Sequence, residues 1–112
     1  MRCVIVDDNA EFLETARFLL EADGLAVVGV ASSGSEAVQQ TSRLRPDLTL
    51  VDIDLDGESG FDVARRLEGA VIIMISTHSK EDFADLVAAS PAAGFVPKSE
   101  LSRKAICDVL TA

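Results

Sequence analysis

Short runs of apolar, mostly β-branched residues alternate five times with segments of helical period. The apolar runs are Cys3 to Val6, Ala26 to Ala31, Leu48 to Val51, Val71 to Ile75 and Gly94 to Val96. They are continuous rather than alternating, as expected of strands covered on both faces. The first helical segment places Phe12, Leu13, Ala16, Leu19 and Leu20 on one face, with Asn9 as N-cap and Gly24 just past its end. The second opens on Ser33-Gly34-Ser35-Glu36, a capping-box spacing, and must stop before Pro46. A third, from about Gly60 to Leu67, buries Phe61, Ala64 and Leu67. A fourth starts near Ser79 to Asp82, with Phe83, Leu86 and Val87 as its apolar positions. The last follows Ser99 and aligns Leu101, Ala105, Ile106 and Val109. Five strand–helix repeats call for a parallel five-stranded sheet between helical layers, because each crossover is right-handed and helix-long. The fold class is α/β, doubly wound.

A chain of 112 residues has room for one domain, spanning residues 1–112. Hydrophobic residues at 48% and charged residues at 26% suit a packed core and exclude a disordered chain. The 19 acids against 10 Lys plus Arg leave a net charge of −9. Such a surface repels phosphate backbones, so no direct nucleic-acid contact is expected, although a DNA-binding neighbour could still be regulated. No apolar run approaches the roughly 18 to 20 residues of a membrane helix. Met1-Arg2 leads straight into the first strand, without a signal-peptide pattern. Cys3 and Cys107 fall in apolar settings and read as reduced thiols, so the expected location is cytoplasmic.

The carboxyl ends of parallel strands face one edge of the sheet, where sites form. Asp7 and Asp8 follow the first strand, Asp52 the third, Ser76-Thr77 the fourth and Lys98 the fifth. Three carboxylates, a hydroxyl and an ammonium would therefore converge, although Asp8 and Asp52 lie 44 positions apart. Carboxylates held close repel one another, and a divalent cation relieves the repulsion; magnesium favours a few carboxylates, waters and a phosphate oxygen. One carboxylate could then attack a phosphoryl group to form an acyl phosphate, with the metal, Lys98 and the Ser76 hydroxyl neutralising charge. Neither G-x-x-x-x-G-K nor G-x-G-x-x-G occurs, which argues against nucleotide binding.

These residues resemble the receiver domain of two-component response regulators over essentially the whole chain. Val6-Asp7-Asp8-Asn9 resembles the family's acidic opening, and Val51-Asp52-Ile53-Asp54-Leu55-Asp56-Gly57-Glu58-Ser59-Gly60-Phe61 its phosphoacceptor loop. Ile75-Ser76-Thr77 matches the hydroxyl position, and Gly94-Phe95-Val96-Pro97-Lys98-Ser99 the lysine segment. The resemblance implies a flavodoxin-like three-layer sandwich that accepts a phosphoryl group on Asp52 from a sensor histidine kinase or phosphotransfer protein. It implies magnesium held by Asp7, Asp8, Asp52 and the Asp54 backbone carbonyl, with Asp8 the more direct ligand. Ser76, Lys98 and the Thr77 amide would grip the phosphoryl oxygens. Ser76 and Phe95 would form the switch, with the ring turning inward as the face of the fourth helix, fifth strand and fifth helix changes shape. Such a domain is not a turnover enzyme, though slow self-dephosphorylation is expected, and it can form a phosphorylation-dependent homodimer.

Three positions depart from the family's habit. Asp56 stands where proline is usual, Asp54 adds an acid beside the site, and Ser99 follows the lysine where proline is common. The last resembles regulators carrying a C-terminal helix-turn-helix, and equally fits a cap for the final helix. The output is then either transcription control through an effector domain, or docking by a stand-alone receiver. A phosphorylation-independent binding module of the same fold is a further alternative. Asp52 to Gly57 also matches the start of a calcium EF-hand, but the twelfth position is Val63 instead of Glu. Asp52-Ile53-Asp54 resembles the nucleophile loop of haloacid-dehalogenase-type phosphatases, which place it after their first strand. His78 and the Arg65-Arg66 pair read as solvated, and Phe12 and Leu13 as core.

Overall fold

The computed structural model of the chain contains a five-stranded sheet with strand order β2-β1-β3-β6-β7, every neighbouring pair parallel. Its strands are β1 (Arg2–Val6), β2 (Ala26–Ala31), β3 (Leu48–Asp52), β6 (Ile72–Ser76) and β7 (Gly94–Pro97). A small antiparallel hairpin, β4 (Asp54–Leu55) and β5 (Glu58–Ser59), interrupts the sequence of crossovers. The helices are α1 (Ala10–Ala22), α2 (Gly34–Leu44), α3 (Gly60–Arg66), α4 (Ala84–Ala88) and α5 (Arg103–Leu110).

Side chains alternate across the central strands and split the core in two. Val4, Val6, Val51, Met74 and Phe95 pack with Ala37 of α2 and Val63 and Ala64 of α3. Cys3, Ile5, Leu50, Ile73 and Val96 pack with Ala16 and Leu20 of α1 and Ile106 of α5. The three-layer α/β architecture follows from this division: both faces of a parallel sheet are apolar and each needs a helical cover.

Polar caps start four of the helices. Asn9, Ser33, Ser59 and Ser102 each accept a backbone N–H of the first turn through the side chain. The Ser102 cap corrects the sequence expectation for the last helix: Ser99 lies within a 3-10 turn, Lys98–Glu100, and caps nothing. α2 ends at Leu44, two residues before Pro46, and Arg45 closes it in the left-handed region at φ 44°, its N–H donating to the Thr41 carbonyl.

Other expectations also shift. Val71 is exposed and the fourth long strand starts at Ile72, while Leu19 and Leu86 face solvent. The fourth helical segment is a 3-10 turn, Lys80–Asp82, followed by only five α-helical residues. Phe83 and Val87 still reach the core from it. Cys3 and Cys107 are free thiols, and burial pushes the Cys3 thiol up to about 12.

Candidate functional site

The strand register sets the edge. Val6 pairs with Val51, Asp52 with Ile75 and Ser76 with Pro97, so β1, β3, β6 and β7 finish at one level. Asp7, Asp52, Ser76 and Lys98 leave those ends together.

Asp7 is fully buried. Its Oδ1 accepts the Asn9 N–H at 2.8 Å, and its Oδ2 lies 2.6 Å from Lys98 Nζ. That second contact is a close ion pair, too poorly aligned for a directed hydrogen bond. Asp52, 6% exposed, accepts the Asp54 N–H through Oδ1 at 3.2 Å and Lys98 Nζ through Oδ2 at 3.1 Å. Asp8 is exposed, and one carboxylate oxygen from each of Asp7, Asp8 and Asp52 falls within a mutual 4.8 Å.

The electrostatics follow from this crowding. Burial pushes the Asp52 carboxyl above its ordinary value and the Asp7 charge adds to the rise, while the Asp54 N–H and Lys98 offset part of it. Burial works against the Lys98 ammonium, but its close ion pair with Asp7, its hydrogen bond to Asp52 and the charges of both acids prevail and hold it above the usual lysine value. Three carboxylates face one ammonium, and all the ligand atoms are hard oxygens. Because two of the three acids are buried, the set is more than a solvated acidic loop, and it fits a divalent cation such as magnesium.

Ser76 is buried, and its hydroxyl engages His78: the His78 N–H donates to Oγ at 3.1 Å, and Nδ1 lies 3.3 Å away. The His78 ring stands edge-on to Phe83, 5.7 Å between centroids, and Phe83 lies tilted 6.3 Å from Phe95. His78 is an exposed loop residue, as expected, and it also contacts Ser76 and Phe83 at the rim of the site. Phe95 is already buried, at 5% exposure. Thr77 is exposed beside Ser76. Asp54 is exposed and sits on β4 opposite Ser59, so its carboxylate stands outside the cluster formed by the other three acids.

Local chemistry explains the loop after Asp52. Asp56-Gly57 forms the hairpin turn, with Gly57 at φ 76° as turn geometry demands. A Cβ on Gly60 would collide with the Asp52 backbone carbonyl, so only glycine lets α3 start this close to Asp52. The Asp52–Gly57 run thus forms a hairpin after a strand, with no entering helix, and Val63 is buried in α3; neither feature suits an EF-hand. Sequence reasoning missed His78's contact and the double role of Asn9, which caps α1 and also orients Asp7. The Asp-x-Asn spacing could have indicated the latter, because such a carboxylate readily accepts the N–H two residues on.

Known proteins resemble this chain in sequence and in fold. Residues 3–111 match the family model described as the response regulator receiver domain. The chain is 29% identical over 104 residues to the DNA-binding transcriptional activator EvgA of Escherichia coli K12, covering 89% of this chain and 51% of that protein. It is 30% identical over 104 residues to the response regulator GacA of Pseudomonas viridiflava, covering 88% and 48%. The chain thus spans about half the length of these curated relatives. Among solved structures, a LuxR-family two-component response regulator from Aurantimonas sp. SI85-9A1 superposes with a TM-score of 0.84 at 28% identity, covering 98% of this chain and 84% of that one. The signal receiver domain of NarL from Mycobacterium tuberculosis gives 0.83 at 28% identity, covering 99% and 96%. An acid cluster and a lysine at one edge of a five-stranded parallel sheet, together with a match over nearly every residue, lead to one conclusion: the chain belongs to the response regulator receiver domain family.

Proposed function

We propose that Asp52 accepts a phosphoryl group from a sensor histidine kinase or phosphotransfer protein. The observation that carries this reading is the placement of Asp52 Oδ2 3.1 Å from Lys98 Nζ, within an acid cluster assembled from two strand ends. In the transfer, an Asp52 carboxylate oxygen bonds to phosphorus as the donor's P–N bond breaks, and the electron pair leaves with the histidine nitrogen. Asp7, Asp8, Asp52 and the Asp54 carbonyl are the groups that would hold magnesium, which when bound neutralises charge on the carboxylates and the phosphoryl oxygens. Lys98 offsets the charge of the product. Ser76 leaves its His78 partner to donate its hydroxyl to the phosphoryl group, with the Thr77 amide beside it. Phe95 responds to that movement, so a local charge event biases the packing of α4, β7 and α5.

The output read from the relatives is control of transcription through an effector segment outside this sequence. The domain itself, with net charge −9, makes no direct DNA contact. No helix is long and apolar enough to cross a membrane. The proposed setting is cytoplasmic, with a phosphorylation-dependent homodimer and slow self-dephosphorylation. Intact mass after incubation with acetyl phosphate and magnesium tests the chemistry. One phosphoryl adduct is expected, absent from Asp52→Asn and from metal-free protein; an adduct that survives in Asp52→Asn removes Asp52 from this role.

A further inference from the structure

Phe12 stands in the first turn of α1, where the Asn9 carboxamide oxygen accepts its N–H at 3.1 Å. The Asn9 N–H in turn donates to Asp7 Oδ1 at 2.8 Å, so one residue holds Asp7 and Phe12 at a set spacing. The Phe12 ring packs against the edge of the core beneath α1, and the Lys98 ammonium lies over its face, 4.3 Å from the centroid. Lys98 Nζ is thus enclosed by Asp7 at 2.6 Å, Asp52 at 3.1 Å and an aromatic face. Its side chain is only 12% exposed.

An ammonium on a four-carbon stem is flexible and strongly hydrated, and burial strips water from it. The ring supplies attraction through its negative face without offering a hydrogen-bond acceptor that would draw the ammonium away from the carboxylates. An aliphatic side chain would fill the same volume without that attraction.

We propose that Phe12 is a positioning residue for phosphoryl transfer, its ring holding the Lys98 ammonium at the Asp7–Asp52 pair. It acts through Lys98 and touches no reacting atom. The role in transfer rests on the reading of Asp52 as phosphoacceptor; the pairing of ring and ammonium does not.

The test compares wild type with Phe12→Leu, Phe12→Tyr and Phe12→Trp in the full 112-residue chain. One readout is the ring-current shift of the Lys98 Cε protons by NMR in magnesium-free protein. The other is the rate of adduct formation from acetyl phosphate and magnesium. An upfield shift is expected in wild type, lost in the Leu variant and kept in the Tyr or Trp variant. The adduct should form about three- to tenfold more slowly in the Leu variant, with Tyr or Trp restoring the rate. A Leu variant as fast as wild type overturns the proposal, as do Tyr and Trp variants both as slow as Leu, since then the ring's electrostatics are irrelevant. If wild type forms no adduct, the phosphoacceptor reading falls and takes the transfer role with it. Absence of the upfield shift in wild type overturns the pairing itself.

Discussion

Lys98 Nζ meets Asp52 Oδ2 at 3.1 Å although β6 lies between the strands that carry them. Two inter-strand steps amount to about 10 Å, a span that the lysine stem and the aspartate side chain cover together. The ion pair therefore bridges the edge of the sheet above Ser76 and also reaches the buried Asp7 at 2.6 Å. Because one cation serves two buried acids with a third beside them, the edge carries excess negative charge, and most of the expected behaviour follows from that excess.

Replacing Asp52 by Asn should stabilise the metal-free protein at neutral pH. Burial raises the folded-state Asp52 carboxyl above its unfolded value. Its favourable contribution is therefore complete below the unfolded pKa, about 3.9, and is lost as pH rises through the folded value. At pH 7 the ionised Asp52 is a net cost, which Asn removes while Asp7 retains Lys98. Thermal melts in EDTA should show Asp52→Asn melting higher than wild type at pH 7, with the gap closing in acid. A gap that widens in acid would contradict the charge argument.

Magnesium should stabilise wild type by relieving the same repulsion. At a concentration one hundredfold above its own Kd the gain is about 2.7 kcal/mol. Asp8→Ala and Asp52→Asn should lose most of that response. Melting temperature against magnesium concentration measures it, and an undiminished response in both variants would place the ion elsewhere.

Thr49 offers a prediction independent of the site. It is fully buried in β3, paired in register with Val4 and Ile72, and its hydroxyl has no hydrogen-bond partner. Thr49→Val keeps the shape and removes an unsatisfied polar group, so stability should rise by about 1 kcal/mol. Urea denaturation should report a higher midpoint at unchanged slope.

Gly60→Ala should act in the opposite direction. The added methyl meets the Asp52 backbone carbonyl, so α3 or the Asp52 loop must move. A loss of about 1–3 kcal/mol is expected, together with weaker magnesium stabilisation. Preserved stability and magnesium response in this variant would show that the loop has slack the close approach does not suggest.

The alternation of apolar runs and helical periods was enough to read the layers, because a strand buried on both faces is apolar at nearly every position. It also placed Asp7, Asp52, Ser76 and Lys98 at one edge, since parallel strands end on the same side. Less regular features were hidden. The β4–β5 hairpin has two residues per strand, too few to show a period. Ser99 and Ser102 are equally good caps by residue type, and only the 3-10 turn that Lys98–Glu100 forms decides between them. Leu19 and Leu86 look like core residues by spacing, yet short helices on a small sheet cannot bury every apolar position.

By itself, then, the sequence determined the fold class, the sheet edge that carries the acids and lysine, and the residue types gathered there. Tertiary structure decided which of them touch: that Lys98 serves both Asp7 and Asp52, that Ser76 is held by His78, and that Phe12 lies beneath the ammonium. The reason is physical. Periodicity records which face of an element turns inward, whereas distances between residues on different elements depend on strand register and helix docking, which arise only when the whole core packs.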